Sequence, residues 1–258
     1  MSPPADLLAE VEARVPAAST ISLFLDFDGT LVPISEDPDA PRLSAAVSST
    51  LELLSCRDHI VTTIISGRAM EDLYARIRLG GLIYAGNHGL EICGRQFRFV
   101  EPMASQRRED LQRLCDDVDT ALRSVAGVMV ERKGLTAAVH YRQAAEADLP
   151  LIQQSVQGAV ARWGVLFRLT QGRKVFDILP RTGWHKGAAV EWINCHLGGE
   201  LLTVYLGDDV TDEDAFSVLP HAVTIKVGPV MATCARYRLP GPAEVENFLI
   251  WLAKISRN

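Results

Sequence analysis

Short hydrophobic runs of strand length alternate with amphipathic stretches in the first third of the chain. The hydrophobic runs cover residues 21–26, 60–65 and 82–85 and are rich in Ile and Leu. Residues 44–54 and 70–77 lie between them and place their apolar side chains at helical spacing. Strands that alternate with helices are typical of a parallel sheet with helices on its faces. The pattern therefore predicts an α/β fold.

The middle of the chain has a different pattern. Residues 105–124 and 145–163 predict two longer amphipathic helices. Two pairs of short strands flank turns at Gly134 and Gly172. Helices and hairpins in this order indicate a smaller α+β domain.

The alternation of helices and strands resumes at Trp184. We therefore predict a Rossmann-like parallel-sheet core of the hydrolase type, built from two separated segments, residues 1–104 and 180–258. The smaller α+β domain, residues 105–179, is inserted between these two segments.

The composition is that of a globular protein, with 48% hydrophobic and 22% charged residues among 258. A formal net charge of −6 argues against nucleic-acid binding, which needs a basic surface. Five scattered cysteines without a CxxC pair favour a reducing compartment. No apolar run approaches the roughly 20 residues of a membrane helix, and the N-terminus lacks the pattern of a secretory signal. We therefore expect a cytoplasmic protein that binds neither nucleic acid nor membranes.

Chemically active side chains follow three of the predicted strands, at the points where these strands end. Asp26 and Asp28 follow the first strand, Ser66 follows the second, and a Gly-Asp-Asp segment at 207–209 follows a later one. Lys186 opens the helix before that later strand. Since the carboxyl ends of parallel strands meet at one edge of a sheet, we expect these side chains to converge. Clustered carboxylates repel one another unless a cation lies among them, so the sequence predicts a Mg²⁺ site.

Each of these segments, taken alone, also has an explanation without chemistry. Residues 26–30 could form an Asx turn, and Ser66 could cap the helix that follows it. Lys186 could be a solvated helix residue, and the acidic residues 208–214 could cap a helix start. Their shared position after successive strands favours one common site.

The segments resemble the motifs of the haloacid dehalogenase superfamily of phosphotransferases. Residues 26–30 (DFDGT) match its first motif, Ser66 its second, Lys186 its third and residues 207–209 (GDD) its fourth. More narrowly, the chain resembles the trehalose-6-phosphate phosphatases over nearly its whole length. The more specific signatures of that family are ISGR at 65–68, GNHG at 86–89, VERKG at 130–134, HYR at 140–142 and LGDDVTDEDAF at 206–216.

The resemblance implies a mechanism for the core. Asp26 would be the nucleophile that forms an aspartyl-phosphate, and Asp28 would be the general acid and base. Mg²⁺ would bind Asp26, the backbone carbonyl of Asp28, and Asp208. Lys186, the third catalytic residue, would hold the phosphoryl oxygens together with Ser66.

The resemblance also implies roles for residues around this centre. Asp209 and Asp212 would orient waters on the metal. The inserted domain would be a cap that closes over the substrate and excludes water. Besides Ser66, substrate contacts are implied for Gly67, Arg68, Asn87, His88, Glu131, Lys133, His140, Arg142, Lys174 and Asp177. Each charged residue of the inserted domain could instead be an exposed strand charge, and at Asp177 the family usually has Glu.

We therefore expect Mg²⁺-dependent hydrolysis of trehalose 6-phosphate to trehalose and phosphate, the last step of trehalose biosynthesis. One alternative is a related sugar phosphatase that acts on sucrose phosphate, glucosylglycerol phosphate or mannosyl phosphoglycerate. The other is a catalytically silent regulatory domain that binds a sugar phosphate. The expected partner is a small-molecule sugar phosphate, and a trehalose-6-phosphate synthase of the same pathway is a candidate protein partner.

Overall fold

The computed structural model describes residues 3–35, 37, 40–94, 96–172, 174–229 and 232–255. The chain divides into two compact units. The larger unit consists of residues 1–99 and 185–258, and the smaller unit consists of residues 100–184.

Regular secondary structure covers most of the described residues. The strands are β1 (Thr20–Asp26), β2 (Ile60–Ile65), β3 (Ile83–Gly86), β4 (Glu91–Gly94), β5 (Phe97–Val100), β6 (Met129–Arg132), β7 (Ala137–His140), β8 (Phe167–Gly172), β9 (Val175–Pro180), β10 (Leu201–Gly207), β11 (Val223–Val227) and β12 (Tyr237–Leu239). The α-helices are α1 (Ala5–Arg14), α2 (Ala45–Ser55), α3 (Met70–Ile77), α4 (Pro102–Gln106), α5 (Arg108–Leu122), α6 (Leu149–Arg162), α7 (Lys186–Leu197), α8 (Val210–Val218) and α9 (Pro242–Ile255). Among these described helices, none combines the length and hydrophobicity needed to cross a membrane.

The larger unit is built on a sheet in the order β12-β11-β10-β1-β2-β3-β4-β5. From β12 to β3 neighbouring strands are parallel, whereas β4 is antiparallel to β3. Every residue of β2 and β11 is buried, as expected for parallel strands covered on both faces. Because β1 lies between β2 and β10, the strand order reverses there. The carboxyl ends of these three strands therefore form the edge where open α/β sheets bind ligands.

The smaller unit has a sheet in the order β6-β7-β9-β8, and its pairings are antiparallel. Helices α5 and α6 cover one face of this sheet, where Val139, Phe176 and Ile178 join the apolar side chains of both helices. The residues between them along each strand point to the other face, because side chains alternate along a strand. The predicted fold class, a parallel α/β core with a smaller α+β part, is confirmed.

The helix predicted over residues 105–124 is interrupted in the structure. Arg107 separates α4 from α5 and adopts a backbone conformation outside the helical region. Its Nη1 donates hydrogen bonds to the carbonyl oxygens of Leu166 (2.9 Å) and Arg181 (2.8 Å). These partners, distant in sequence, stabilise the interruption of the helix at Arg107. The spacing of apolar residues along the chain does not reveal it.

The hydrophobic pattern does not predict the strands β4, β5 and β12. Each has only three or four residues and lies at or near an edge of the large sheet. Runs this short carry too few positions to show a period of two, so neighbouring strands decide whether they pair.

Candidate active site

Asp26 and Lys186 form a buried ion pair at the carboxyl edge of the large sheet. Asp26 is the last residue of β1, and Lys186 is the first residue of α7. Lys186 Nζ lies 2.7 Å from Asp26 Oδ1, and only 2% of Lys186 is exposed. Burial lowers the pKa of Lys186, but the charges of Asp212 and Asp26 outweigh this effect and hold it above its ordinary value. The explanation of Lys186 as a solvated helix residue is therefore wrong.

Asp26, Asp208 and Asp212 form a cluster of carboxylates. One oxygen from each lies within 4.8 Å of the other two. Burial raises the pKa of Asp26 well above its ordinary value, and burial together with Asp212 and Asp209 raises the pKa of Asp208 to about 7. Asp208 Oδ1 is buried and accepts no hydrogen bond from the described residues. Oxygen ligands under this mutual repulsion fit a hard divalent cation such as Mg²⁺.

The turn between β10 and α8 brings Asp208 and Asp212 together. Asp209 is the N-cap of α8, and its Oδ1 accepts a hydrogen bond from the Val210 N–H. Asp212 Oδ2 accepts one in return from the Asp209 N–H at 2.9 Å. Gly207 is required beside this cap, since a Cβ there would lie 2.2 Å from Asp212 Cγ. The explanation of the acidic segment as a helix cap is correct, and the cap coexists with the carboxylate cluster.

The carboxylate of Asp212 has two further partners, Lys186 and Tyr205. Lys186 belongs to a sequence motif, whereas Tyr205 does not. Tyr205 OH donates a hydrogen bond to Asp212 Oδ1 at 2.6 Å, and Lys186 Nζ donates to the same oxygen at 2.8 Å. Tyr205 is fully buried on β10. Its only sequence signal is a hydroxyl group inside an apolar strand, which the hydrophobic pattern treats as core.

Asp28 is held by Arg68 in a bidentate pair. Arg68 Nε donates to Asp28 Oδ2 at 2.6 Å, and Nη2 donates to Oδ1 at 2.8 Å. Arg68 Nη1 also donates to Asp72 Oδ2 at 2.8 Å. Burial lowers the pKa of Arg68, but the hydrogen bonds and charges of Asp28 and Asp72 raise it above its ordinary value. The guanidinium predicted to contact substrate is thus paired with the predicted acid and base.

The loops after β2 and β3 are joined by backbone hydrogen bonds. The Asn87 N–H donates to the Arg68 carbonyl at 2.7 Å, and the His88 N–H donates to the Ser66 carbonyl at 2.8 Å. The His88 ring covers Gly67, where a Cβ would lie 2.6 Å from His88 Cε1. Ser66 Oγ accepts the Arg68 N–H at 3.2 Å, and α3 begins further along the chain, so the explanation of Ser66 as its cap is wrong. The predicted substrate residues of these two loops therefore lie side by side.

Four predicted substrate residues cluster on the sheet of the smaller unit, on the face opposite α5 and α6. Glu131 and Asp177 are both in register with Ala138 of the strand between them. His140 Nε2 lies 2.8 Å from Glu131 Oε2. Lys133 Nζ lies 3.9 Å from Glu131 Oε2 and 3.6 Å from Asp177 Oδ1. Two carboxylates with an ammonium and an imidazole offer the donors and acceptors that sugar hydroxyls require.

The other two predicted substrate residues of the smaller unit lie at the ends of its strands. Lys174 is exposed in the turn between β8 and β9, with a left-handed φ of 59°. Its carbonyl accepts the Tyr141 N–H at 3.2 Å. Arg142 is half-buried and directly follows Tyr141.

A parallel sheet whose central strand ends at Asp26, beside a buried lysine, has the fold of the haloacid dehalogenase-like hydrolases. Comparison with known proteins narrows this class. The sequence model of the Trehalose-phosphatase family matches residues 24–243, and the chain belongs to that family. The resemblance inferred from the motifs is confirmed.

Similar proteins agree with this membership. The Trehalose-phosphate phosphatase of Mycobacterium tuberculosis is 36% identical over 259 aligned positions, which cover 94% of this chain and 62% of that protein. The chain thus spans about three fifths of the length of its mycobacterial relatives. The Trehalose 6-phosphate phosphatase RA3 of Zea mays is 34% identical, with 95% of this chain and 74% of that protein covered. The C-terminal domain of the C. albicans trehalose-6-phosphate phosphatase has the same fold, with a TM-score of 0.85 at 22% identity and 98% of both chains covered.

Proposed function

We propose that the protein is a Mg²⁺-dependent phosphatase that hydrolyses trehalose 6-phosphate to trehalose and phosphate. The observation that carries this proposal is the buried cluster in which Lys186 contacts both Asp26 and Asp212 while Asp208 lies beside them. Such a cluster combines a carboxylate nucleophile with groups that neutralise the charge of a phosphoryl group. The family and the names of its members support the choice of substrate.

Asp26 is the proposed nucleophile. One of its carboxylate oxygens attacks phosphorus, and the bond between phosphorus and the sugar oxygen breaks, which leaves an aspartyl-phosphate. Lys186 holds Asp26 through Oδ1 and neutralises part of the charge that develops on the phosphoryl oxygens. Asp26, the backbone carbonyl of Asp28, and Asp208 would hold Mg²⁺, which supplies further positive charge when bound.

Asp28 is the proposed general acid and base. It donates a proton to the departing sugar oxygen, which is a poor leaving group without that proton. It then removes a proton from the water that attacks the phosphorus, and the phosphate leaves as Asp26 is regenerated. Arg68 donates one N–H to each carboxylate oxygen of Asp28, which leaves the second lone pair of each oxygen available for the proton and holds the carboxylate in place.

The other core residues have supporting roles in this proposal. Ser66 is buried and would bind a phosphoryl oxygen together with Lys186. Asp212 orients Lys186, and with Asp209 it would orient waters around the cation. The loop residues Asn87 and His88, beside Ser66, would contact the substrate.

We assign recognition of the sugar to the smaller unit, as the predicted cap. Glu131, Lys133, His140 and Asp177 would hydrogen-bond the disaccharide hydroxyls, with Arg142 and Lys174 at the ends of the strands. Asp177 keeps its place in this cluster although its side chain is one methylene shorter than Glu, since its Oδ1 lies 3.6 Å from Lys133 Nζ. A cytoplasmic location and a trehalose-6-phosphate synthase as partner are part of the same proposal.

Phosphate release from a panel of sugar phosphates tests the proposal. With Mg²⁺, trehalose 6-phosphate is expected to have the highest kcat/KM, and excess chelator is expected to abolish turnover. A higher kcat/KM for sucrose phosphate, glucosylglycerol phosphate or mannosyl phosphoglycerate would support the first alternative function. Binding of trehalose 6-phosphate without any phosphate release would support the silent regulatory domain. An Asp26→Asn preparation, purified in parallel, controls for contaminating phosphatases.

A further inference from the structure

A buried lysine, Lys226, lies near the carboxyl end of β11 and has no part in the mechanism proposed above. It is 6% exposed and is in register with Gly207 of the parallel neighbour β10. A buried ammonium group loses its hydration, so it is stable in a fold only where protein acceptors replace the lost water. The acceptors of Lys226 therefore indicate its role.

The acceptors of Lys226 lie in the turn after β10 and in α8. Its Nζ donates to the carbonyl oxygen of Asp208 at 2.6 Å, and the carbonyl oxygen of Asp209 lies at 3.4 Å. Glu213 Oε1 lies 3.4 Å from the same nitrogen. Two carbonyls and one carboxylate match the three N–H bonds of an ammonium group.

Glu213 is held in place independently of Lys226. Its Oε1 accepts a hydrogen bond from Thr233 Oγ1 at 2.8 Å, and its Oε2 accepts one from the Cys234 N–H at 2.8 Å. The ammonium group of Lys226 therefore connects a carboxylate that is already fixed with the backbone carbonyl of Asp208.

The carboxylate of Asp208 tolerates little displacement. Its Oδ2 lies over Gly29, where a Cβ would be only 2.1 Å away. One of its oxygens lies within 4.8 Å of the carboxylate oxygens of Asp26 and Asp212. A shift of the backbone at Asp208 would move this carboxylate away from the other two or against the loop after β1.

We propose that Lys226 is a positioning residue, which holds the backbone of Asp208, and through it the carboxylate, in the geometry that a divalent cation requires. The inference rests on the proposed function, because it takes Asp208 as one of the residues that would hold the cation. A merely structural role is the competing explanation: Lys226 would then only stabilise the contact of β11 with α8 through Glu213. Loss of the bond to the Asp208 carbonyl weakens cation binding under the first explanation and leaves it unchanged under the second.

Two substitutions separate these explanations. Lys226→Met keeps a flexible, unbranched side chain, one heavy atom shorter, but removes the donor to Asp208. Thr233→Val removes one support of Glu213 and leaves Lys226 with its carbonyl acceptors, so it is the matched control for lost stability. The readouts are Mn²⁺ binding to the substrate-free protein by electron paramagnetic resonance, the Mg²⁺ concentration for half-maximal activity, KM for trehalose 6-phosphate at saturating Mg²⁺, and Tm.

Lys226→Met is expected to weaken Mn²⁺ binding by about tenfold to a hundredfold and to raise the half-activating Mg²⁺ concentration in parallel. KM at saturating Mg²⁺ is expected to stay within about twofold, because the sugar contacts are untouched. Thr233→Val is expected to lower Tm while Mn²⁺ affinity stays within about twofold of the native value.

Native Mn²⁺ affinity in folded Lys226→Met would overturn the inference, and so would an equal loss of affinity in Thr233→Val. If Lys226→Met does not fold, Lys226→Gln is expected to show the same loss of affinity. Failure of both variants to fold would make Lys226 a structural residue and would also overturn the inference. If the native protein itself binds no Mn²⁺ and releases no phosphate, the proposed function fails. If the native protein binds Mn²⁺ but the Lys226 variant binds it equally tightly, only the inference about Lys226 fails.

Discussion

Arg68 occupies both carboxylate oxygens of Asp28, through Nε at 2.6 Å and Nη2 at 2.8 Å. The guanidinium is itself held by Asp72 of α3, and the same carboxylate binds Arg76 Nε at 2.8 Å. A row of charged side chains, Arg76 and Asp72 of α3 followed by Arg68, therefore holds Asp28, the proposed acid and base, in position. A lysine at position 68 could not reproduce two parallel hydrogen bonds, since its ammonium group is a single point charge.

The variant Arg68→Lys is expected to lower kcat for trehalose 6-phosphate by about tenfold to a hundredfold, because Asp28 is no longer held for proton transfer. Hydrolysis of p-nitrophenyl phosphate should fall less than hydrolysis of trehalose 6-phosphate, since p-nitrophenolate leaves without a proton and only the later hydrolysis of the aspartyl-phosphate still needs Asp28. Steady-state kinetics on both substrates measure the difference. A raised KM with unchanged kcat would instead show that Arg68 binds substrate.

Arg76→Lys is the matched control for this variant. Arg76 shares Asp72 with Arg68, and its Nη1 donates to the Pro41 carbonyl at 3.4 Å. Because Arg68 keeps its two bonds to Asp28 in this variant, kcat for trehalose 6-phosphate is expected to stay within about twofold of the native value. An equal loss of kcat in both variants would mean that the whole row, rather than the pair with Asp28, sets the rate.

Asp26→Asn is expected to abolish turnover while the fold survives. The amide keeps the size of the side chain but lacks the attacking anion, so kcat should fall by at least about a thousandfold. Lys186 keeps Asp212 Oδ1 as an acceptor at 2.8 Å, and the amide oxygen at position 26 can still accept from Lys186, so the Tm in chelator should change little. Phosphate release measures the loss of turnover, and thermal unfolding measures whether the fold survives. Near-native turnover in this variant would remove the covalent mechanism.

Asp208 couples the stability of the metal-free protein to pH. Burial and the neighbouring carboxylates raise its pKa from 3.8 to about 7. Because the folded state therefore binds more protons than the unfolded chain between these two values, the contribution of Asp208 to the free energy of unfolding is present at low pH and is lost as the pH rises towards the folded pKa. A bound cation would offset this loss by pairing with the ionised carboxylate.

The difference between the Tm in Mg²⁺ and the Tm in chelator is therefore expected to grow from about pH 5 to about pH 8. Thermal unfolding at a series of pH values measures it. The variant Asp208→Asn, which does not ionise, is expected to show a small difference at every pH. A native difference that is constant over this range would contradict the proposed role of Asp208.

Selectivity for the sugar is expected to depend on Glu131 and Lys133. Truncation of either to Ala removes hydrogen bonds from charged groups, each worth about 1–3 kcal/mol, so kcat/KM for trehalose 6-phosphate should fall by about tenfold to a hundredfold. Hydrolysis of p-nitrophenyl phosphate, which has no sugar, should change far less. Steady-state kinetics on both substrates measure the ratio of their kcat/KM values.

Arg132→Ala is the control for these truncations. Arg132 is on the same strand as Glu131 but pairs with Asp116 and Asp119, so its kcat/KM for trehalose 6-phosphate should remain within about twofold. Equal losses on both substrates in a folded Glu131 or Lys133 variant would show that the cluster does not determine selectivity.

By itself, the sequence determined the central strands and the residues at their ends. The runs that became β1, β2 and β10 are long enough and apolar enough to indicate buried parallel strands, and this property is local. Once the strands are parallel, the convergence of Asp26, Ser66 and Asp208 at one edge follows from topology. The sequence left open whether Lys186 is solvated, and its burial against Asp26 and Asp212 appears only in the structure.

Only the tertiary structure decided which side chains pair. The bond from Arg68 to Asp28 and the bond from Lys226 to the Asp208 carbonyl join residues on different elements, so no local pattern contains them. The break at Arg107 depends in the same way on the carbonyls of Leu166 and Arg181. A lysine inside the apolar run of β11 is a visible signal, but its role depends on its acceptors, which lie in the turn after β10 and in α8. Hydrophobic burial is an average over a whole element and can be read along the chain, whereas a hydrogen bond depends on the distance between two atoms that only the folded chain sets.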